Sequence, residues 1–459
     1  MESTGEQIAG RWRFQVAMLL LCAALTYLSA PALMTHQVNV AVNGDVRNSV
    51  IVLALGLVLG WLRPQIAFSL LLACQLPLYL FSVGGGLGSS IVVYLDFALM
   101  AVYCFRIAER RIAHTDPPPG TAAGACLLGV IFIQWLRSPD LMDYARFMID
   151  VFAAVLVMWK LPTLGPTALR NAARSFVWGT AGSSLVLLIE EYGKSPRLGA
   201  LLHFNPDAAG YAAGAALLIL LSREVFGREV LSQVLLATPL VAILYFSGGR
   251  GACYGLVGGA MILLALQRRY KLLCAISLIA IAGGYFIIAG SQDKNYLLSR
   301  MADPFTDSFA ESSTHRDRIW SYLLSSSSDE WLLGGGMGYA QQLTGEAGMK
   351  VGGQGLQSHN VYLTLLVDSG FLAALSFIIL QAKIVTFVAR APAARALTAA
   401  MLVYFFTEGF FSGMNFGFEM AFMVTMAFSM RGPIAFRVPS SAWSYIGAED
   451  ELSAVEQLQ

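Results

Sequence analysis

An all-α integral membrane protein is the fold class this sequence predicts, and three observations predict it. Hydrophobic residues make up 56% of the chain against 13% charged, with a mean hydropathy of +0.62. A soluble chain of 459 residues with that balance would expose large apolar patches to water. Apolar runs close to bilayer-spanning length recur from end to end. Lys and Arg collect at alternate ends of those runs, as cytoplasmic loops require.

The runs lie at 14–34, 49–62, 65–82, 90–105, 121–136, 147–162, 175–191, 208–222, 229–246, 252–266, 272–290, 360–386, 393–411 and 414–430. The shorter ones, 49–62 and 252–266, leave room for re-entrant segments, so about twelve to fourteen transmembrane helices are expected. The first run follows Arg11 and Arg13 and is long for a cleaved signal peptide. With the first helix starting inside, only Arg47, Arg137, Arg146, Lys194, Arg197 and Arg250 fall in short outer loops. Both termini are then cytoplasmic, and a cytoplasmic (inner) membrane is the expected site.

This organisation divides the chain into about eleven transmembrane helices over 1–290, a large periplasmic loop over 291–359, C-terminal transmembrane helices over 360–430 and a cytoplasmic tail over 431–459. The loop carries an amphipathic helical stretch around Trp320 to Leu324 and a glycine-rich turn at Gly334, Gly335, Gly336 and Gly338. Pro117, Pro118 and Pro119 read as a cytoplasmic linker, and no internal repeat stands out.

A net charge of +1 gives no basic excess for nucleic acid. The six cysteines sit in or beside apolar runs and read as small apolar residues rather than a disulfide framework or zinc site. The five histidines are dispersed and no Asp-x-Asp pair is present, so no metal or other cofactor is expected. Gly84, Gly85, Gly86 and Gly88 form a turn with no lysine placed as a phosphate-binding loop needs, which argues against nucleotides.

Polar chemistry concentrates at outer helix ends. Arg197 precedes Asn205-Pro206 at the start of one helix, and Arg250 sits in Ser-Gly-Gly-Arg-Gly between two. In the loop, Arg316 stands four residues before Trp320, and Leu332-Leu333-Gly334 leads into the Gly336-x-Gly338 turn. His359-Asn360-x-Tyr362-Leu363 then opens a helix, followed by Gly370. In order and spacing, this series over about residues 195–375 resembles the bacterial O-antigen ligases and the related O-antigen and exopolysaccharide polymerases.

That resemblance implies transfer of a glycan from an undecaprenyl diphosphate carrier to an acceptor hydroxyl, either on the next lipid-linked unit or on lipid A core. The leaving diphosphate gains charge as the glycosidic bond breaks. Guanidinium groups are permanently charged and fork onto phosphate oxygens, so Arg250 and Arg316 suit the departing diphosphate. His359 titrates near neutrality, and a helix N-terminus would keep it neutral as a general base. Direct attack with base and leaving group on opposite faces of the sugar gives inversion, without a metal. Arg197, Arg318, Asn205, Asn360, Tyr362 and Glu408 are the substrate-binding candidates.

Each has a plainer reading. A lone outer arginine more often anchors a lipid headgroup, and Arg318 and His315 read more readily as solvated loop residues. Asp96, Asp368, Glu408 and Glu419 are intramembrane acids and functional candidates by default. Glu190 and Glu191 are expected to reach out to the interface. Besides donor, acceptor and bilayer, a polysaccharide chain-length regulator is an expected partner. A lipid-linked sugar flippase is the rival from another class, and it would show paired broken helices and charges on both sides of the midplane.

Overall fold

The computed structural model describes residues 4–35, 64–77, 121–137, 166–191, 206–227, 230–290, 316–336, 338–351, 354–356, 358, 360–389 and 396–411. The helices are α1 Thr4–Thr35, α2 Pro64–Ala73, α3 Thr121–Ile133, α4 Pro166–Glu191, α5 Pro206–Leu221, α6 Arg223–Phe226, α7 Val230–Ser247, α8 Arg250–Leu266 and α9 Tyr270–Gly290. After these come α10 Arg316–Ser326, α11 Tyr339–Glu346, α12 Val361–Ala389 and α13 Ala396–Phe411. Among the described residues the only strands are a two-residue antiparallel ladder, β1 Lys350–Val351 with β2 Gln354–Gly355. The chain is an all-α membrane protein, and the helices fall where the apolar runs predict them. The runs at 49–62, 90–105, 147–162 and 414–430, and the proline turn at 117–119, lie outside the described residues.

By length and composition, Arg170–Glu191, Val230–Ser247 and Val361–Lys383 are long and apolar enough to cross a membrane. Several other apolar helices are shorter, α5 and α8 among them. The centre of the bundle is α5, buried continuously from Ala208 to Leu220. A helix apolar all round belongs inside other helices, and its alanines and glycines let those helices approach closely. Around it pack α4, α7, α8 and α13, while α1 and α2 lie against α4, and α3 against α12.

Tyr404 fixes the register of this core. It is 1% exposed, and its hydroxyl donates to the Tyr211 carbonyl at 2.9 Å. A Cβ at Gly214 would lie 2.5 Å from that hydroxyl, and one at Gly255 would lie 2.9 Å from the ring. One turn earlier on α13, the Ala400 carbonyl faces Gly259. Thus α13 runs antiparallel to α8, with its C-terminal end beside the start of α8.

The two ends of the bundle differ in charge. At one end Arg174 donates to the Val225 carbonyl and lies over the Phe226 ring, and Arg269 donates to the Leu221 carbonyl at 2.8 Å. These guanidiniums satisfy carbonyls in the last turns of α6 and α5. The opposite end holds the starts of α5 and α8.

One predicted element is corrected. The run at 360–386 is not a straight helix, because α12 bends sharply at Gly370, whose φ of 83° and ψ of 175° are not helical. In a straight helix Tyr362 and Gln381 would stand about 28 Å apart at 1.5 Å per residue. Instead the Tyr362 hydroxyl donates to Gln381 Oε1 at 3.2 Å, and the Tyr362 and Phe377 rings are 5.7 Å apart. The first limb, 361–369, therefore folds back at an acute angle along the second, 371–389. The second limb alone is about 28 Å long, close to a full span.

A small unit built from α10, α11 and the glycine turn packs on this bend. Its core is Ile319, Leu323, Ala340 and Leu343 against Leu363 and Val367 of the first limb. Gly334, Gly336 and Gly338 all take positive φ, and the N–H groups of Gly335 and Gly336 donate to the Val367 and Asp368 carbonyls, both at 2.9 Å. Gly334 and Gly370 meet backbone to backbone. A Cβ at Gly370 would lie 2.6 Å from the Leu332 carbonyl oxygen, and a Cβ at Gly334 would overlap that of Asp368.

Asp368 is corrected from functional candidate to structural residue. It is buried, and its carboxylate accepts from Ala340 N–H at 2.7 Å and Gly338 N–H at 3.1 Å. It thus supplies the N-terminal cap that glycine at 338 cannot. Glu191 is corrected as well: it is 3% exposed at the end of α4, so its side chain is enclosed by the protein and does not extend outward. Asp96 and Glu419 lie outside the described residues.

Candidate functional site

Arg250 is the first residue of α8 and is half-buried. The turn before it is held locally. Gly248 takes a φ of 65°, and Ser247 Oγ donates to the Leu244 carbonyl at 2.8 Å while accepting from Gly249 N–H at 3.2 Å. Asp207, in the first turn of α5, lies against Gly249. The N-cap residue of α8 is Gly249, which has no side chain to offer, and Arg250 follows it at this end of the bundle.

Arg316 occupies the same position on α10, as first residue and half-buried. Arg318 is exposed on that helix, in keeping with its plainer reading as a solvated residue of the large loop. A cation at a helix N-terminus opposes the helix dipole by about 0.3–1 kcal/mol, whereas an anion there is favoured.

The segment before α12 is tied to α10. The Trp320 indole N–H donates to the Ser358 carbonyl at 2.7 Å, so the residue one turn after Arg316 grips the peptide that leads into position 359. Asn360 caps the first limb, its Oδ1 accepting from Tyr362 and Leu363 N–H at 3.0 and 3.1 Å. Ser358 Oγ accepts from Asn360 N–H at 3.1 Å and shares a hydrogen bond with the Thr364 hydroxyl at 2.5 Å. Tyr362 is engaged with Gln381 and Phe377 inside the bend.

Tyr404 faces Gly255, one turn from Gly251 on α8. Glu408 lies one turn beyond Tyr404 on α13, level with the start of α8.

Arg197, Asn205 and His359 lie outside the described residues. The positioning roles of Ser358, Thr364 and Gln381 escape sequence reading. Ser358 two before Asn360 is the spacing of a local side-chain turn, and Gln381 is an amide within an apolar run; those were the available signals. Outside the bundle core, Tyr339 starts α11, and burial, with the Glu330 and Glu346 carboxylates nearby, pushes its phenol above the ordinary value.

No curated protein matches the chain. Residues 234–378 match a family model described as O-antigen ligase. The match takes in Arg250, Arg316, Trp320, the glycine turn and the start of α12, and leaves Arg197, Asn205 and Glu408 outside it. The motif series, the helix ends that carry it and this match agree that residues 234–378 are similar to the O-antigen ligase family, which supports a membrane enzyme of surface polysaccharide assembly.

Proposed function

We propose that this protein transfers a glycan from an undecaprenyl diphosphate carrier to an acceptor hydroxyl on the non-cytoplasmic side of the bacterial inner membrane. The observation that carries the reading is that Arg250 and Arg316 are each the first residue of a helix. Helix N–H groups and guanidinium forks together suit a diphosphate whose charge rises in the transition state. The arginine-rich end with Arg174 and Arg269 is then the cytoplasmic one.

His359 acts as general base, taking the proton from the acceptor hydroxyl as its oxygen attacks the anomeric carbon and the diphosphate leaves with the bonding electrons. Attack opposite the leaving group inverts the anomeric centre, and the arginines make a metal unnecessary. Arg197, Arg318, Asn205 and Glu408 extend the binding surface, with Asn360 and Tyr362 shaping it beside the base. On this reading the chain comprises about eleven transmembrane helices over 1–290, a large periplasmic loop over 291–359, C-terminal transmembrane helices over 360–430 and a cytoplasmic tail over 431–459.

Polymerisation onto the next lipid-linked repeat unit is the first reading of the acceptor, with a chain-length regulator as protein partner. Transfer to lipid A core is the second, favoured by the description of the matched family as O-antigen ligase. Purified protein reconstituted with synthetic lipid-linked repeat units separates them: a ladder of products supports polymerase, and a single addition to supplied lipid A core supports ligase. No product with either acceptor would reject the transferase reading.

A further inference from the structure

The unit packed on the bend of α12 carries an apolar tip. Trp331, Leu332 and Leu333 are 39%, 73% and 61% exposed. The tip adjoins two membrane helices: Gln134, just past the end of α3, donates to the Leu333 carbonyl, and Phe371 N–H at the start of the second limb donates to the Trp331 carbonyl at 2.6 Å. Ile133, Phe371 and Leu372 on those helix ends are exposed too. The apolar surface of two helices thus continues onto the loop.

A loop in hydrocarbon must satisfy its own backbone within the protein. Much of this loop's backbone is so engaged: the Glu330, Trp331 and Leu333 carbonyls accept from Gly334, Phe371 and Gln134, and the Gly335 and Gly336 N–H groups donate to α12. The Trp331 indole N–H donates to Ser327 Oγ at 3.1 Å. Charge borders the tip on one side, where Arg137 and Glu330 form a part-exposed ion pair at 2.6 Å. Leucines beside a tryptophan and an ion pair form the sequence of groups met on passing from acyl chains to headgroups.

We propose that the Trp331-Leu332-Leu333 tip is seated in the bilayer, among the acyl chains of the leaflet at this end of the bundle. The occupant of the surface is lipid hydrocarbon, because the surface is continuous with the outward apolar faces of α3 and α12. The unit that carries Arg316 and Trp320 is then held at a fixed height over the membrane instead of standing free in water.

The test uses the full-length protein in phosphatidylcholine vesicles without any polyprenyl lipid. Leu332→Cys, with the exposed Cys126 and Cys274 changed to serine, is labelled with an environment-sensitive fluorophore. The expected result is blue-shifted emission, quenched by nitroxide on the lipid acyl chain and protected from aqueous iodide. Water-like emission quenched by iodide overturns the proposal. So does blue-shifted emission that neither quencher reaches, since a second copy or another protein surface then covers the tip. If the labelled variant does not fold, Trp331→Phe serves. Brominated phosphatidylcholine should quench wild-type tryptophan fluorescence more than that of the variant, and equal quenching overturns the proposal.

Discussion

The Trp320 indole N–H donates to the Ser358 carbonyl at 2.7 Å, and this bond joins the helix that begins with Arg316 to the chain entering position 359. Two motifs that are 38 residues apart in sequence are one mechanical piece. Trp320→Phe keeps the ring and removes the donor, leaving Ser358, which is 2% exposed, with an unpaired carbonyl at a cost of about 1–3 kcal/mol. Transfer assays with the variant should show kcat lowered by about tenfold with KM little changed, as expected when a base is misplaced and binding is intact. An unchanged kcat would remove Trp320 from the positioning role.

Gly334 and Gly370 are tested together. Each needs a positive φ and each would drive a Cβ into the backbone of the other's segment. Gly370→Ala and Gly334→Ala should each destabilise the protein by more than about 1 kcal/mol. Thermal unfolding in detergent should show the double variant losing less than the sum, because either change opens the same contact. Wild-type stability in either single variant would contradict the described packing.

Asp368 is predicted to be needed for folding rather than chemistry. Asp368→Asn retains one acceptor oxygen for the Gly338 and Ala340 N–H groups and should cost about 1–2 kcal/mol of stability. The folded fraction of this variant, isolated by size-exclusion chromatography, should transfer glycan at near wild-type kcat. A hundredfold loss of kcat in well-folded material would return Asp368 to the chemistry.

Arg250→Lys and Arg316→Lys keep charge but lose the forked donor. Each should lower kcat/KM by about a hundredfold, whereas Arg318→Lys, changed at an exposed position, should alter it less than about threefold. His359→Ala should abolish product. A metal chelator should leave wild-type product unchanged, and loss of product with chelator would overturn metal-free transfer.

Tyr339 gives a pH dependence. Its folded-state pKa is raised, chiefly by burial and then by the Glu330 and Glu346 carboxylates, so the folded protein holds a proton that the unfolded chain releases. This contribution is complete below about pH 10 and is lost as pH rises through the raised folded value. Stability measured into the alkaline range should fall less steeply in Tyr339→Phe than in wild type. Identical slopes would show that the phenol is not linked to folding.

The membrane class, the helix positions and the motif series were legible in the sequence, because hydropathy, charge sidedness and residue spacing are local properties that survive without contacts. Arg250, Arg316 and Asn360 each stand at or beside a helix start, as their flanking glycines, serines and apolar runs imply. Only the tertiary structure decided that α12 folds back at Gly370. An apolar run with one glycine reads the same whether straight or bent, and what selects the bend is the glycine turn lodged against it. For the same reason Asp368 reads as an intramembrane acid in sequence and is a helix cap in the fold: its two donors arrive from residues 28 and 30 positions away. Periodicity reports which face of a helix is apolar, but the partner that meets that face is set by packing between distant segments.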